Sequence, residues 1–333
     1  MSEIRKDPVS RRWIVISSDN EKVPCDYSYK RAVIDGSDEN CPFCMKNSDK
    51  IDETIYTRKV DGEIAVRIVN NKFPALKHDI ELDMFADGIY DKITGYGIHE
   101  VIIDSKDHYT PFHKIKLVEM EAVIKAMLFR YKGLKADKKL KYGLFFKNSG
   151  ESAGASLQHS HMQLIATPVI PKVVLEEIIS SEKYYNYKER CLFCDVIKQE
   201  MADKERVINM NESFISFVPY APRFPFEIWI FPKEHASSFS SIRSNEIIDL
   251  AEILKDSLER LQGVFPDMPY NFVLHTTPFQ NVQKKCYHWH IEIMPRLTKI
   301  SGFEWGSGFY IVGTTPENAA LFLRKKTNGG LSC

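Results

Sequence analysis

Short runs rich in β-branched and aromatic residues recur along the first half of the chain: Trp13 to Ser17, Ile64 to Val69, Ile98 to Asp104, Tyr142 to Lys147 and Gln158 to Ala166. Their length and composition predict strands. Before the fourth of them, Leu117, Met120, Val123, Ile124, Met127, Leu128 and Tyr131 return at helical spacing, which predicts one long helix laid on a sheet. The second half repeats the order. Phe214 to Val218 and Glu227 to Phe231 read as strands, then a helix carries Ile247, Leu250, Leu254, Leu258 and Leu261, then Asn271 to His275 and Tyr287 to Met294 read as strands. Neighbouring strands are too closely spaced for regular crossover helices, so the pattern predicts a mainly antiparallel sheet with helices against it, an α+β fold. The halves meet near Thr167 to Tyr187, where Pro168 and Pro171 break the strand and an acidic, tyrosine-rich helical stretch begins. This divides the chain into residues 1–170 and 171–333.

The repeat extends to chemistry. The first half carries Cys41-Pro-Phe-Cys44, a run from Glu100 to His108, and His159-Ser-His161-Met-Gln163. The second carries Cys191-Leu-Phe-Cys194, a run of equal length from Glu227 to His235, and His288-Trp-His290-Ile-Glu292. Motifs kept in order and at matching intervals imply a duplicated domain.

Composition narrows the classes. The chain has 333 residues, of which 44% are hydrophobic and 12% aromatic, enough for two cores. Its 45 basic and 45 acidic residues cancel, so the electrostatic footprint of a general nucleic-acid binder is missing. No apolar run approaches a membrane span and no secretory leader pattern opens the chain, so a cytoplasmic protein is expected. In a reducing compartment, Cys-x-x-Cys pairs suit metal ligation better than disulfides. Each pair delivers two thiolates from one tight loop, and His108 with His159, or His235 with His288, would complete a tetrahedral set. Two closed, structural zinc sites are therefore expected, Cys41, Cys44, His108, His159 and Cys191, Cys194, His235, His288, with iron an alternative at the second.

Closing those sites leaves His161 free. Alternation along a strand would put His159, His161 and Gln163 in one row. Just upstream, Asn148-Ser-Gly-Glu-Ser-Ala-Gly-Ala-Ser156 is a small-residue loop whose backbone can approach a phosphate closely. Such a loop joined to an unliganded histidine points to nucleophilic or acid/base work on a phosphate ester.

The spacing Asn148-x-Gly150-x3-Gly154-x-Ser156-x2-His159-x-His161-x-Gln163 resembles the active-site segment of the galactose-1-phosphate uridylyltransferases, a branch of the histidine-triad superfamily. The resemblance extends through Trp13, Cys41-Pro-Phe-Cys44, Asn71-Lys-Phe73-Pro74, His108, Pro225-Phe-Glu227 and the His288-Trp289 pair. It implies ping-pong transfer of UMP from UDP-glucose to galactose 1-phosphate through a uridylyl-histidine at His161, in a homodimer. It also implies that Ser156 donates to the β-phosphate side, that Asn148 and the Gly154 loop bind the phosphate region, and that Asn71 and Phe73 line the uridine and ribose pocket. Gln163 offers an amide that can donate to a nonbridging oxygen without acting as a base.

Four departures from the family pattern stand out, the last two of which bear on the substrate. The second half ends its motif in Glu292, which would repel a phosphate, and the tract Gln280 to Lys285 before it lacks a glycine/serine cradle, so this half reads as a scaffold copy with His290 a polar or supporting residue. Cys191 and Cys194 point to a two-zinc subgroup. The arginines that family members commonly carry after the first strand have no match in Asp19 to Pro24, and Gly302 to Gly308 differs from the tract that reads the hexose, although Glu304 could contact a sugar. The same pattern suits relatives that use orthophosphate as acceptor, such as ADP-glucose or dinucleoside-polyphosphate phosphorylases. A zinc-stabilised nucleotide-binding module without catalysis is the non-enzymatic alternative.

Overall fold

Ten strands pair edge to edge into one continuous sheet, eight of them runs expected from the sequence and two, Thr54–Val60 and Val207–Met210, not. The structure, a computed structural model, describes residues 1–34, 36–51, 53–280 and 285–325; Cys333 and most of the tract before His288 lie outside the described residues. In chain order the sheet strands are β1 (Thr54–Val60), β2 (Glu63–Asn70), β3 (Ile98–Ile103), β4 (Tyr142–Ser149) and β5 (His161–Thr167). The second five are β6 (Val207–Met210), β7 (Phe214–Phe217), β8 (Ile228–Pro232), β9 (Tyr270–His275) and β10 (His290–Pro295). The spatial order is β1-β2-β3-β5-β4-β9-β10-β8-β7-β6. Every neighbouring pair is antiparallel, as the spacing predicts.

That order reads the same from both edges. The halves join where β4 pairs with β9, and the register is self-complementary: Lys147 faces Phe272 while Phe145 faces Leu274, about a centre at Phe146 and Val273. The seam thus behaves as a local two-fold relating two copies of one unit.

Helices α1 (Leu117–Leu134) and α4 (Ser244–Val264) occupy matching places, between β3 and β4 and between β8 and β9. Met120, Val123, Ile124, Met127 and Tyr131 of α1, and Ile247, Leu250, Leu254, Leu258 and Leu261 of α4, are all buried in one core with Ile102, Phe145, Phe272 and Ile291 of the sheet. The apolar faces expected from spacing are therefore the faces that pack. Between the halves, α2 (Lys172–Lys188) starts directly after Pro171, whose fixed φ and missing N–H are tolerated at a helix start, and α3 (Leu192–Asp203) follows with Cys191 as its N-cap. Among the described residues no helix is long and apolar enough to cross a membrane.

Two details differ from the sequence pattern. The strand bearing Trp13 leaves the main sheet and forms a separate three-stranded one, pairing with Glu3–Lys6 and, in parallel, with Tyr310–Val312. More consequentially, Glu100 and Glu227, which sequence puts in register, fall on opposite faces. Val101 pairs with Gln163 in the first half, and Trp229, not Ile228, pairs with Glu292 in the second. A one-residue offset reverses every side chain of a strand. Glu100 accordingly meets Arg130 of α1 on the helix face (2.7 Å), whereas Glu227 meets Arg223 (2.9 Å) and the Trp229 indole N–H (2.9 Å) on the other.

Because one core spans both halves, the chain should unfold as a unit. Leu258→Ala deletes a fully buried side chain and should cost about 2–5 kcal/mol. Urea transitions followed by tryptophan fluorescence and by far-UV circular dichroism should shift together; separated transitions would show that the halves unfold independently.

Candidate active site and metal centres

The Cys-x-x-Cys turns and the paired histidines converge as their spacing suggests. In the first half Cys44 Sγ lies 3.4 Å from His108 Nδ1 and 3.5 Å from His159 Nδ1, with Cys41 Sγ 3.7 Å from His159 Nδ1. In the second, Cys194 Sγ lies 3.3 Å from His235 Nδ1 and 3.7 Å from His288 Nδ1, and Cys191 completes the group. A tetrahedral zinc with ordinary Zn–S and Zn–N bond lengths would set such sulfur–nitrogen edges at about 3.5 Å. The donor sets therefore fit a metal ion held by two thiolates and two Nδ1 atoms. The far nitrogen of His159 donates to the Ser105 carbonyl (2.9 Å), which fixes its Nδ1 toward the thiols.

His159 is not a strand residue. β5 begins at His161, so the expected row of three breaks at its first member, which lies in the entry loop where the chain is free to turn its ring toward Cys41 and Cys44. His161 is buried, and its Nδ1 donates to the His159 carbonyl (2.8 Å). The remaining nitrogen, Nε2, keeps its lone pair. Burial, and then the nearby Lys147 ammonium, hold His161 below the ordinary histidine pKa, so the ring is neutral near pH 7.

A cavity of about 520 Å³ opens at this ring, and Lys30, Arg31, Asn148, Gly150, Ser156 and His161 are among its walls. The loop in its wall is shaped by backbone conformations that favour glycine: Gly150 has φ +84° and Gly154 φ +90°. At Gly150 a Cβ would also come within 2.6 Å of Ala32. Asn148 Nδ2 reaches the Gly154 carbonyl (3.4 Å), and from across the seam Asn271 donates to Asn148 Oδ1 (2.8 Å) and to the Ala153 carbonyl (2.8 Å). The second half thus braces the loop of the first, a contribution with no local signal in sequence. Lys30 and Arg31 place basic side chains in this wall, Lys30 being paired with Glu151.

Gln163 is tied to His99. The Ala75 N–H donates to His99 Nδ1 (3.1 Å), which leaves Nε2–H to donate to Gln163 Oε1 (2.7 Å). With its oxygen engaged, the free end of Gln163 is its NH2 group. Asn71 lies on the same ring, 3.0 Å from His99 Nε2, and lines a second cavity of about 690 Å³ with His99 and Arg130. Phe73 is 83% exposed and borders neither cavity. Glu304 is occupied locally, accepting from the Ser301 N–H (2.9 Å) and hydroxyl (2.6 Å) to cap the helix Gly302–Ser307, and within one chain it is not brought to His161.

The second half turns the same scaffold inward. His290 repeats the bond of His161, donating from Nδ1 to the His288 carbonyl (3.1 Å), but its Nε2 faces Glu292 (3.7 Å) and Glu177 of α2 (4.0 Å). Glu177 also receives His275 Nδ1 (2.9 Å) and the Tyr287 hydroxyl (2.7 Å). Burial would raise the Glu292 carboxyl, yet Arg223 (2.6 Å) and His275 hold it well below the usual range. Glu177, His275, His290 and Glu292 form a third buried group able to hold a cation; sequence reading missed Glu177 and His275, which lie far from either motif.

One half thus keeps a free ring at an open cavity while the other fills that space with carboxylates. This is the architecture of a nucleotidyl-transferring enzyme built from duplicated histidine-triad-like units. The chain belongs to the galactose-1-phosphate uridylyltransferase family: residues 1–171 match the family's N-terminal domain and residues 177–319 its C-terminal domain. It is 33% identical to the ADP-glucose phosphorylase of Arabidopsis thaliana, over 97% of this chain and 92% of that protein. It is 28% identical to the galactose-1-phosphate uridylyltransferase of Thermotoga maritima, over 98% of each. The crystal structure of the Arabidopsis ADP-glucose phosphorylase with bound ADP-glucose matches with a TM-score of 0.84 at 30% identity, covering 98% of both chains.

Arg223→Met would leave Glu227 and Glu292 buried without their shared cation. We expect a loss of about 3–5 kcal/mol in urea denaturation at neutral pH; an unchanged midpoint would mean that His275 alone neutralises the cluster.

Proposed function

We propose that this protein cleaves a nucleoside-diphosphate hexose by double displacement, with residues 1–170 as the catalytic half and 171–333 as its scaffold. The carrying observation is the buried, neutral His161 ring, held through Nδ1 with Nε2 free, at the wall of a cavity that also contains the glycine/serine loop. Nε2 attacks the α-phosphorus, the N–P bond forms, and the P–O bond to the β-phosphate breaks with release of hexose 1-phosphate. The acceptor oxygen then attacks the same phosphorus and the N–P bond breaks. Ser156 and the loop N–H groups bind the phosphates, Asn148 holds the loop, and the Gln163 NH2 donates to a nonbridging oxygen as charge builds. Asn71 and the exposed Phe73 ring offer an amide and a stacking face to the base.

Two acceptors are supported. The family match favours transfer of UMP from UDP-glucose to galactose 1-phosphate. The 33% identity to an ADP-glucose phosphorylase over nearly the whole chain favours release of the nucleotidyl group to orthophosphate. Incubation with UDP-glucose and ADP-glucose, each with galactose 1-phosphate or orthophosphate, decides between them by which pair sustains turnover. A cytoplasmic homodimer belongs to the same proposal.

Intact mass of protein given nucleotide sugar without acceptor should increase by one nucleotidyl group. His161→Gly should abolish both adduct and turnover while both cysteine–histidine groups stay intact. A His161→Gly variant that still turned over would overturn the covalent route.

We further propose zinc at both cysteine–histidine groups, where it would cross-link distant segments. Purified protein should carry about two equivalents per chain. Cys191→Ser should remove one of them, and Cys41→Ser should lower thermal stability. A content of one equivalent, unaffected by Cys191→Ser, would sink the second site.

A further inference from the structure

The duplication supplies an internal control for deciding which buried polar groups the fold itself requires. Lys147 of β4 is 2% exposed, and each of its three ammonium protons is spent within the protein. Nζ donates to Asp104 Oδ2 (2.7 Å), to Ser160 Oγ (2.9 Å) and to the main-chain carbonyl of His161 (2.9 Å). The Ser160 hydroxyl in turn donates to Asp104 Oδ1 (2.6 Å), and the Phe112 ring lies 4.8 Å from the ammonium. Asp104 and Ser160 are buried as well. Removing an ammonium and a carboxylate from water costs several kcal/mol for each ion, and apolar replacements of similar size usually serve stability as well or better.

The second copy makes that replacement. By the ladder registers Leu274 stands where Lys147 stands, Trp289 replaces Ser160, and Pro232 takes the place of Asp104. Leu274 and Trp289 are buried in the apolar core and Pro232 is buried as well; that half forms the same strands and the same cysteine–histidine group with no charged side chain at these three positions. The fold does not need Lys147, Asp104 and Ser160. They occur only in the copy whose histidine is free.

We propose that Lys147 is a positioning residue for the nucleotidyl transfer: its ammonium pins the main chain at Ser160 and His161, and so sets where His161 Nε2 stands relative to the α-phosphorus. This rests on His161 being the nucleophile. Lys147 borders the His161 cavity, but its three donors are all engaged within the protein, so its role is to hold the chain rather than to bind substrate. It holds the His161 carbonyl directly and the Ser160 hydroxyl beside it, Ser160 being the residue that joins His161 to the His159 carbonyl on which the ring is hung.

The test uses the full chain with its metals, and whichever of UDP-glucose or ADP-glucose the wild type turns over. Lys147→Met alone would strand the Asp104 carboxylate, so it is paired with Asp104→Asn, which removes both buried charges together. The double variant should keep its thermal transition, its metal content and its KM, and should lose about 10²-fold in kcat, the scale expected when a reacting atom is misplaced by an ångström. Ser160→Ala, which leaves the ion pair whole, should show a smaller fall in kcat, again without a rise in KM. A wild-type kcat in both variants, or a loss confined to KM, would overturn the assignment. The wild-type adduct keeps the two readings apart: if the wild type forms no adduct on His161, the nucleophile reading falls and this inference with it, whereas a normal wild-type adduct with normal variants removes only the role of Lys147.

Discussion

Everything in this molecule hangs on the antiparallel ladder between β4 and β9. Sheets with a free edge invite unwanted partners, and here each unit spends one edge on its twin, so ten strands share one sheet and α1 and α4 share one core. The ladder also carries function across the boundary. Asn271, next to the seam centre on the second copy, holds the loop that lines the His161 cavity on the first. A duplicated domain that merely sat beside its partner could not do this.

With the scaffold doubled, the copies diverge in where they place charge. The first buries its ions beneath the His161 main chain and leaves an open cavity above the ring. The second buries its ions in the space that cavity would occupy, with Glu177 from α2 and Glu292 from β10 closing on His290 and Arg223 and His275 balancing them. Both arrangements are costly in isolation and tolerable because each ion has partners. On the proposed function, the difference between them separates a reactive unit from a supporting one.

Sequence carried much of this because the deciding signals were periodic or paired. The helical faces of α1 and α4, the strand runs and the two cysteine–histidine sets all depend on spacing, which a single chain displays. What it hid depends on register and long-range contact. The match between Glu100 and Glu227 looks compelling in one dimension, yet the ladders show the strands offset by one residue, with the glutamates on opposite faces. Lys147 reads as an ordinary strand residue until Asp104 and Ser160 are seen around it. Glu177 lies in the connecting helix, far from any motif, and nothing local marks it. Glu304, singled out for a sugar contact, is engaged in capping its own helix.

His159 serves two masters with two different atoms. Its imidazole Nδ1 belongs to the cysteine cluster while its peptide oxygen orients the ring of His161. A cation in the cluster and a nucleotide on His161 therefore act on the same residue, and thermodynamic linkage makes their effects mutual. On the function proposed above, whatever a metal in the cluster contributes to aligning His161 must return to the metal as altered affinity when a nucleotide is bound there, so that metal retention and nucleotide binding are two sides of one coupling free energy.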